Sequence, residues 1–181
     1  KNRSFVNATI EEVISKIKQY NLQAIQLHGD ESVEYIKELK CHFEERMTEK
    51  SHNENLKQPF DSAQGDNSVE VIKVFGIKNE FDFDVLKPYV EVVDYFLFDT
   101  NGKERGGNGI TFDWKVLENY PFTKPFFLSG GIGLEQLEEI HQIGKTDLPI
   151  YALDVNSKFE SKPGFKRIEE LKKFKENVII S

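Results

Sequence analysis

The chain has 181 residues, 38% hydrophobic and 30% charged, which is enough for one sizeable core. Its formal net charge of −7 and pI near 5.2 argue against a nucleic-acid surface, which needs a basic patch. No window approaches the roughly 20 apolar residues of a membrane span, and a single cysteine, Cys41, excludes an internal disulfide or a CxxC metal cluster. A lone thiol suits a reducing, cytoplasmic setting. The chain opens KNRSFVNA without an initiator Met, as a start partway into a longer protein would, so targeting is not readable from it.

A short strand is predicted at 3–6, ended by Asn7. Thr9 suits an N-cap, with Glu11 and Glu12 in the positive first turn of the helix that follows. Ile10, Val13, Ile14 and Ile17 give that helix one apolar stripe, up to about Tyr20. The run 22–27 reads as a buried strand and stops at His28-Gly29-Asp30. Ser32 can cap the next helix, striped by Val33, Ile36 and Leu39. Residues 41–68 then break the rhythm. They are polar, mixed in charge and without a sustained period, apart from Phe43 and Met47, which extend the helix by a turn or so. This is the signature of an exposed insertion.

Regularity returns with a strand at 69–75 and a helix at 81–86. The central strand, 92–98, is almost wholly apolar and ends in Asp99, followed by a polar loop with Gly106, Gly107 and Gly109. A helix is predicted from Trp114, with Asp113 as its cap, up to Tyr120-Pro121. A strand at 125–128 leads into Ser129-Gly130-Gly131. Leu134, Leu137 and Ile140 face inward from a helix, 150–155 is a strand, and a last helix covers 168–174.

The pattern is βα repeated about six times, which requires a parallel sheet. Unalternated apolar strands are what a sheet covered on both faces needs. Asn7, His28, Asp99, Gly130 with Gly131, and Asp154 recur at successive strand C-termini. Such a ring of loaded ends is barrel geometry, whereas an open sheet concentrates its ligands at one switch point. A barrel has eight strands. The expectation is therefore a single α/β domain over 1–181, a (βα)8 TIM barrel that is N-terminally incomplete, with the polar insertion at 41–68.

Asp99 is the chemical focus. Apolar flanks such as Phe96, Leu97 and Phe98 disfavour the ionised form of a carboxyl and make it a proton donor near neutral pH. By itself, Asp99 is equally a capping or loop-tethering residue. Gly130-Gly131 by itself is most simply a tight turn. Between a strand and a helix, however, its amides can also reach a phosphate, and Asn156 and Ser157 follow the next strand in the same way.

Five stretches carry a resemblance. QLHGDES (26–32), FLFDT (96–100), GGNGITFDW (106–114), LSGGI (128–132) and DVNSKFES with KPGFK (154–166) resemble, in order, the phosphoribosylanthranilate isomerase family. The resemblance covers nearly the whole chain from Phe5. It implies a TIM barrel of tryptophan biosynthesis that performs an Amadori rearrangement on a phosphorylated small molecule. Neither metal, organic cofactor, nucleic acid nor membrane is expected to take part. It implies that Asp99 is the general acid, that His28 and Asp154 contact substrate, and that Gly130, Gly131, Asn156 and Ser157 bind the phosphate. A structural role remains an equal reading for His28.

The family's opening, with a cysteine general base and a substrate-binding arginine, finds no match in this sequence. Cys41 lies past a helical stripe and does not replace that base. The chain alone is therefore expected to be impaired. Ile110 stands where the family often has a basic residue, and Lys158 where it often has glycine. Indole-glycerol-phosphate synthase, a barrel of the same pathway, fits less well because it needs a lysine and glutamates at strand ends. A third possibility is a catalytically silent, phosphate-binding barrel fragment.

Overall fold

A computed structural model describes residues 1–53, 69–100 and 113–178. The glycines at 106, 107 and 109, Ile110, and the 54–68 part of the polar stretch lie outside the described residues. The chain divides into two units, Lys1–Lys73 with Pro88–Asp94, and Val74–Lys87 with Tyr95–Ser181.

The first unit holds β1 (Asn2–Phe5), α1 (Ile10–Tyr20), β2 (Ala24–Leu27), α2 (Val33–Asn53) and the start of β3 (Glu70–Ile77). β1 and β2 run parallel, as do β2 and β3, with Leu27 opposite both Phe5 and Lys73. The cap of α1 forms as predicted: Glu12 N–H donates to Thr9 Oγ1 at 3.3 Å, and Thr9 N–H donates back to Glu12 Oε2 at 3.1 Å. Val13 and Ile17 carry the buried stripe. Ser32 Oγ accepts from Tyr35 N at 3.2 Å at the start of α2, whose Ile36 and Leu39 are fully buried.

α2 continues to Asn53, well past the extra turn that Phe43 and Met47 predict. Residues 41–53 contain no Gly or Pro, the two residue types that most disfavour a helix, and include three Glu.

The second unit contains the end of β3, then β4 (Tyr95–Thr100), β5 (Phe126–Leu128), α3 (Leu137–Ile143), β6 (Ile150–Leu153) and α4 (Ile168–Asn177). In sheet order the strands follow the chain, β1-β2-β3-β4-β5-β6. β4–β5 and β5–β6 are parallel, with a register shift between Phe126 and Phe127. This is the α/β alternation expected. Side chains on β4 alternate between its two faces. Phe96 and Phe98 are fully buried in an aromatic cluster, where the Phe98 ring meets Phe126 at 4.9 Å and Tyr120 at 5.7 Å. Tyr95, Leu97 and Asp99 share the other face, and Tyr95 meets Phe127 edge-to-face at 5.4 Å.

Several local predictions differ from what forms. The segments Phe83–Tyr89 and Trp114–Asn119 are 3-10 rather than α-helical. The first contains Pro88, which cannot donate within a helix, and the second stops just before Pro121. β4 starts at Tyr95, because the amides of Val92 and Val93 bond back to Tyr89 O at 3.0 and 3.1 Å. The strand therefore includes Asp99 and Thr100 instead of ending before them. β6 stops at Leu153, two residues earlier than predicted. A small hairpin, β7 (Glu160–Lys162) and β8 (Phe165–Lys166), was not predicted at all. Its Pro163-Gly164 turn is a readable signal, with Gly164 at φ 81°.

Candidate active site

The exits of β4, β5 and β6 are hydrogen-bonded to one another. Ser129 N–H donates to Phe98 O at 2.8 Å, and Asp154 N–H donates to Leu128 O at 2.8 Å. These bonds bring Asp99, Gly130 and Asp154 to the same end of neighbouring strands, the C-terminal end where parallel folds hold their ligands.

Asp99 is half-buried, and its Oδ1 accepts from Thr100 N at 2.8 Å. Burial, and next the negative charge of Asp99, raise the Asp154 carboxyl above its ordinary pKa, while Lys166 opposes the rise. Two carboxyls that resist joint ionisation are a common way to divide acid and base roles.

Gly130 and Gly131 both have positive φ, 92° and 65°. They turn the chain from β5 into the 3-10 segment Leu134–Gln136, which runs on into α3. Asn156 and Ser157 follow β6, and Ser157 opens a 3-10 turn ended at Phe159. Lys166 donates to Asn156 through both its side-chain and main-chain oxygens, and pairs with Glu160 at 2.8 Å. Lys158 pairs with Glu135 at 2.6 Å. The hydrogen bond from Lys158 is the main reason that the Glu135 pKa is lowered. It ties the turn after β6 to the turn after β5.

His28 belongs to the first unit. It sits at the end of β2, half-buried, with its N–H donating to Phe5 O at 2.8 Å. Asp113 caps its 3-10 segment through Lys115 N at 3.1 Å, and Trp114 is buried beside it. Cys41 is exposed on α2. Among the described residues no three His, Cys, Asp or Glu side chains gather as metal ligands would.

Sequence reading missed two buried charges in the first unit, Glu31 and Lys73, which pair at 3.3 Å. The signal was present: Lys73 is the only charge in the run VIKVF, and a charge inside a buried strand needs a partner.

No helix among the described residues is long and apolar enough to cross a membrane. A family model described as N-(5'phosphoribosyl)anthranilate (PRA) isomerase matches residues 4–67 and 62–177. An N-(5'-phosphoribosyl)anthranilate isomerase of Parabacteroides distasonis is 38% identical over 176 residues, covering 97% of this chain and 67% of the relative. The chain thus spans about two thirds of the length of the curated relatives it matches. Among solved structures, phosphoribosyl anthranilate isomerase from Thermotoga maritima superposes with a TM-score of 0.67 at 27% identity, covering 97% of this chain and 71% of that one. A second, in complex with reduced 1-(o-carboxyphenylamino)-1-deoxyribulose 5-phosphate, gives 0.66 at 26% identity, with coverage of 97% and 69%. The fold of these neighbours is the TIM barrel, of which this chain supplies six parallel strands with their crossovers. By sequence and by fold, the chain belongs to the N-(5'-phosphoribosyl)anthranilate isomerase family.

Proposed function

We propose that the protein performs the isomerisation for which its relatives are named, within tryptophan biosynthesis. The substrate is N-(5-phosphoribosyl)anthranilate, and the product is the 1-(2-carboxyphenylamino)-1-deoxyribulose 5-phosphate. The observation that carries this reading is the carboxyl pair. Asp99 and Asp154 lie close enough for one to disfavour ionisation of the other, beside two turns able to present main-chain amides.

The chemistry assigns each group a task. Asp99, as general acid, delivers a proton to the furanose ring oxygen as the bond from that oxygen to C1 breaks. The anthranilate nitrogen supplies the electron pair, leaving a protonated Schiff base. A base then removes the C2 proton, the electrons return to nitrogen, and the resulting enolamine tautomerises to the ketone. Asp154 holds the sugar hydroxyls or the anthranilate amine, and His28 is a substrate contact. The amides of Gly130, Gly131, Asn156 and Ser157 receive the phosphate, a local means of binding an anion in a protein of net charge −7. The reaction needs no metal or organic cofactor, and the setting is the cytoplasm. The partner is the phosphorylated small molecule, not nucleic acid or membrane.

The only cysteine is on the exposed side of α2. It does not fit the cysteine base that the family resemblance implies, so this chain alone is expected to turn over poorly. The test compares this chain with a version extended to its relatives' full length, each with and without Asp99→Asn. The extended wild type is expected to turn over phosphoribosylanthranilate. Its Asp99→Asn variant should lose turnover while keeping affinity for the reduced product analogue. Near-normal turnover in that variant would remove Asp99 from the mechanism.

A further inference from the structure

We propose that Lys73 and Glu31, which the mechanism above does not use, are positioning residues that fix the backbone carrying His28. The inference rests on the reading of His28 as a substrate contact. Both charges are almost fully withdrawn from water, with side-chain exposures of 4% for Lys73 and 2% for Glu31. A buried ion pair rarely stabilises a fold more than well-packed apolar side chains would. What it supplies here is geometry.

The geometry can be followed peptide by peptide. The peptide before His28 is held from both sides: Lys73 Nζ donates to Leu27 O at 3.4 Å, and His28 N–H donates to Phe5 O at 2.8 Å. The peptide after His28 is held by the Glu31 carboxylate, which accepts from Gly29 N at 3.1 and 3.0 Å. The next peptide is gripped again, with Lys73 Nζ donating to Gly29 O at 2.9 Å and Asp30 N–H donating to Asn7 Oδ1 at 2.7 Å. Glu31 also accepts from Asn7 N at 2.9 Å, and so ties the end of β1 into the same knot. Two consecutive peptide planes flank the His28 Cα, and fixing both fixes its φ and ψ and the origin of its side chain. The carboxylate takes three main-chain donor contacts besides the ammonium, so the polar network is well satisfied, as a buried one must be.

Three variants probe the pair. Lys73→Met alone leaves a buried carboxylate unpaired. Lys73→Met with Glu31→Leu replaces both charges by apolar bulk, an exchange that often preserves stability. Glu31→Gln is a gentler variant that keeps the outline and one acceptor oxygen. Two measurements need no ligand: amide hydrogen exchange at Asn7 and Gly29, and the NMR signals of the His28 ring. A third is the calorimetric affinity for reduced 1-(o-carboxyphenylamino)-1-deoxyribulose 5-phosphate, taken with and without His28→Ala.

In the double variant, exchange at Gly29 is expected to quicken about 100-fold through local opening, and the His28 ring signals to broaden. Glu31→Gln should show the same changes more weakly. In the wild type, His28→Ala should weaken the analogue about tenfold, the effect of one good hydrogen bond. In the double variant it should change nothing further. Wild-type exchange rates and sharp ring signals in the double variant would overturn the proposal, as would an undiminished His28→Ala effect there. If the wild type does not bind the analogue at all, the functional reading fails, while exchange and ring signals still decide the positioning role.

Discussion

Replacing Gly130 by alanine tests the join between the strand that carries Asp99 and the turn assigned to phosphate. A Cβ at Gly130 would lie 2.2 Å from Thr100 Oγ1, 2.7 Å from Thr100 N and 3.0 Å from Thr100 Cβ, on a backbone with φ 92°. Two costs add. Forcing an L side chain into that region costs about 1–2 kcal/mol. Displacing the end of β4 to relieve the overlap costs about 1–3 kcal/mol more.

The sum, about 2–5 kcal/mol, is a large part of the usual stability of a domain. For a chain of this size it lowers Tm by about 4–20 °C. Gly164→Ala is the internal control: its φ is 81°, and nothing lies within 4 Å of the added carbon. It should therefore cost only the conformational part, about 1–2 kcal/mol. Urea unfolding of the two variants, compared at equal m-value, isolates the contact. Adding Thr100→Ala to Gly130→Ala should recover only part of the loss, because the 2.7 Å approach to the main-chain nitrogen remains. Equal stability of Gly130→Ala and Gly164→Ala would refute the close approach of the two strand exits.

Two further outcomes follow from burial and charge. Asp154 has a raised pKa in the folded chain, so on raising the pH the unfolded chain ionises first and the fold is penalised until the folded group ionises as well. Asp154→Asn should therefore be neutral at pH 3, below the ordinary carboxylate value, and increasingly stabilising as the pH rises through it; thermal melts showing equal effects at pH 3 and pH 7 would contradict this. Phe98→Ala removes a fully buried ring from the aromatic cluster and should cost about 3–5 kcal/mol in urea unfolding, whereas Val85→Ala, at an exposed position, should change stability by no more than about 0.5 kcal/mol.

Local chemistry made much of this protein readable in advance. The Thr9 cap, the stripes of α1 and α2, the apolar strands after β1 and the capping role of Asp113 depend on residues close in the chain. Short-range sterics and hydrogen bonds act there without reference to anything distant. The family motifs are equally linear, which is why Asp99, Gly130 and Asp154 could be named as candidates before any coordinates. Where the sequence misled, the deciding quantity was still local but finely balanced. The segments at 83–89 and 114–119 carry apolar residues at helical spacing, yet Pro88 lies inside the first and Pro121 closes off the second. The sequence past Cys41 shows no sustained apolar period, yet it contains no Gly or Pro to end the helix.

Other features exist only once separate strands lie side by side. That Asp154 feels Asp99, that Lys158 is taken up by Glu135, and that a Cβ at Gly130 would strike Thr100 all join residues at least twenty-three positions apart. The Lys73–Glu31 pair is the clearest case. A lysine in an apolar strand announces that a partner must exist, because an unpaired buried charge is too costly. Which carboxylate answers, and which peptides the pair holds, depend on the register that sets Lys73 opposite Leu27, and that register is fixed only when the strands assemble.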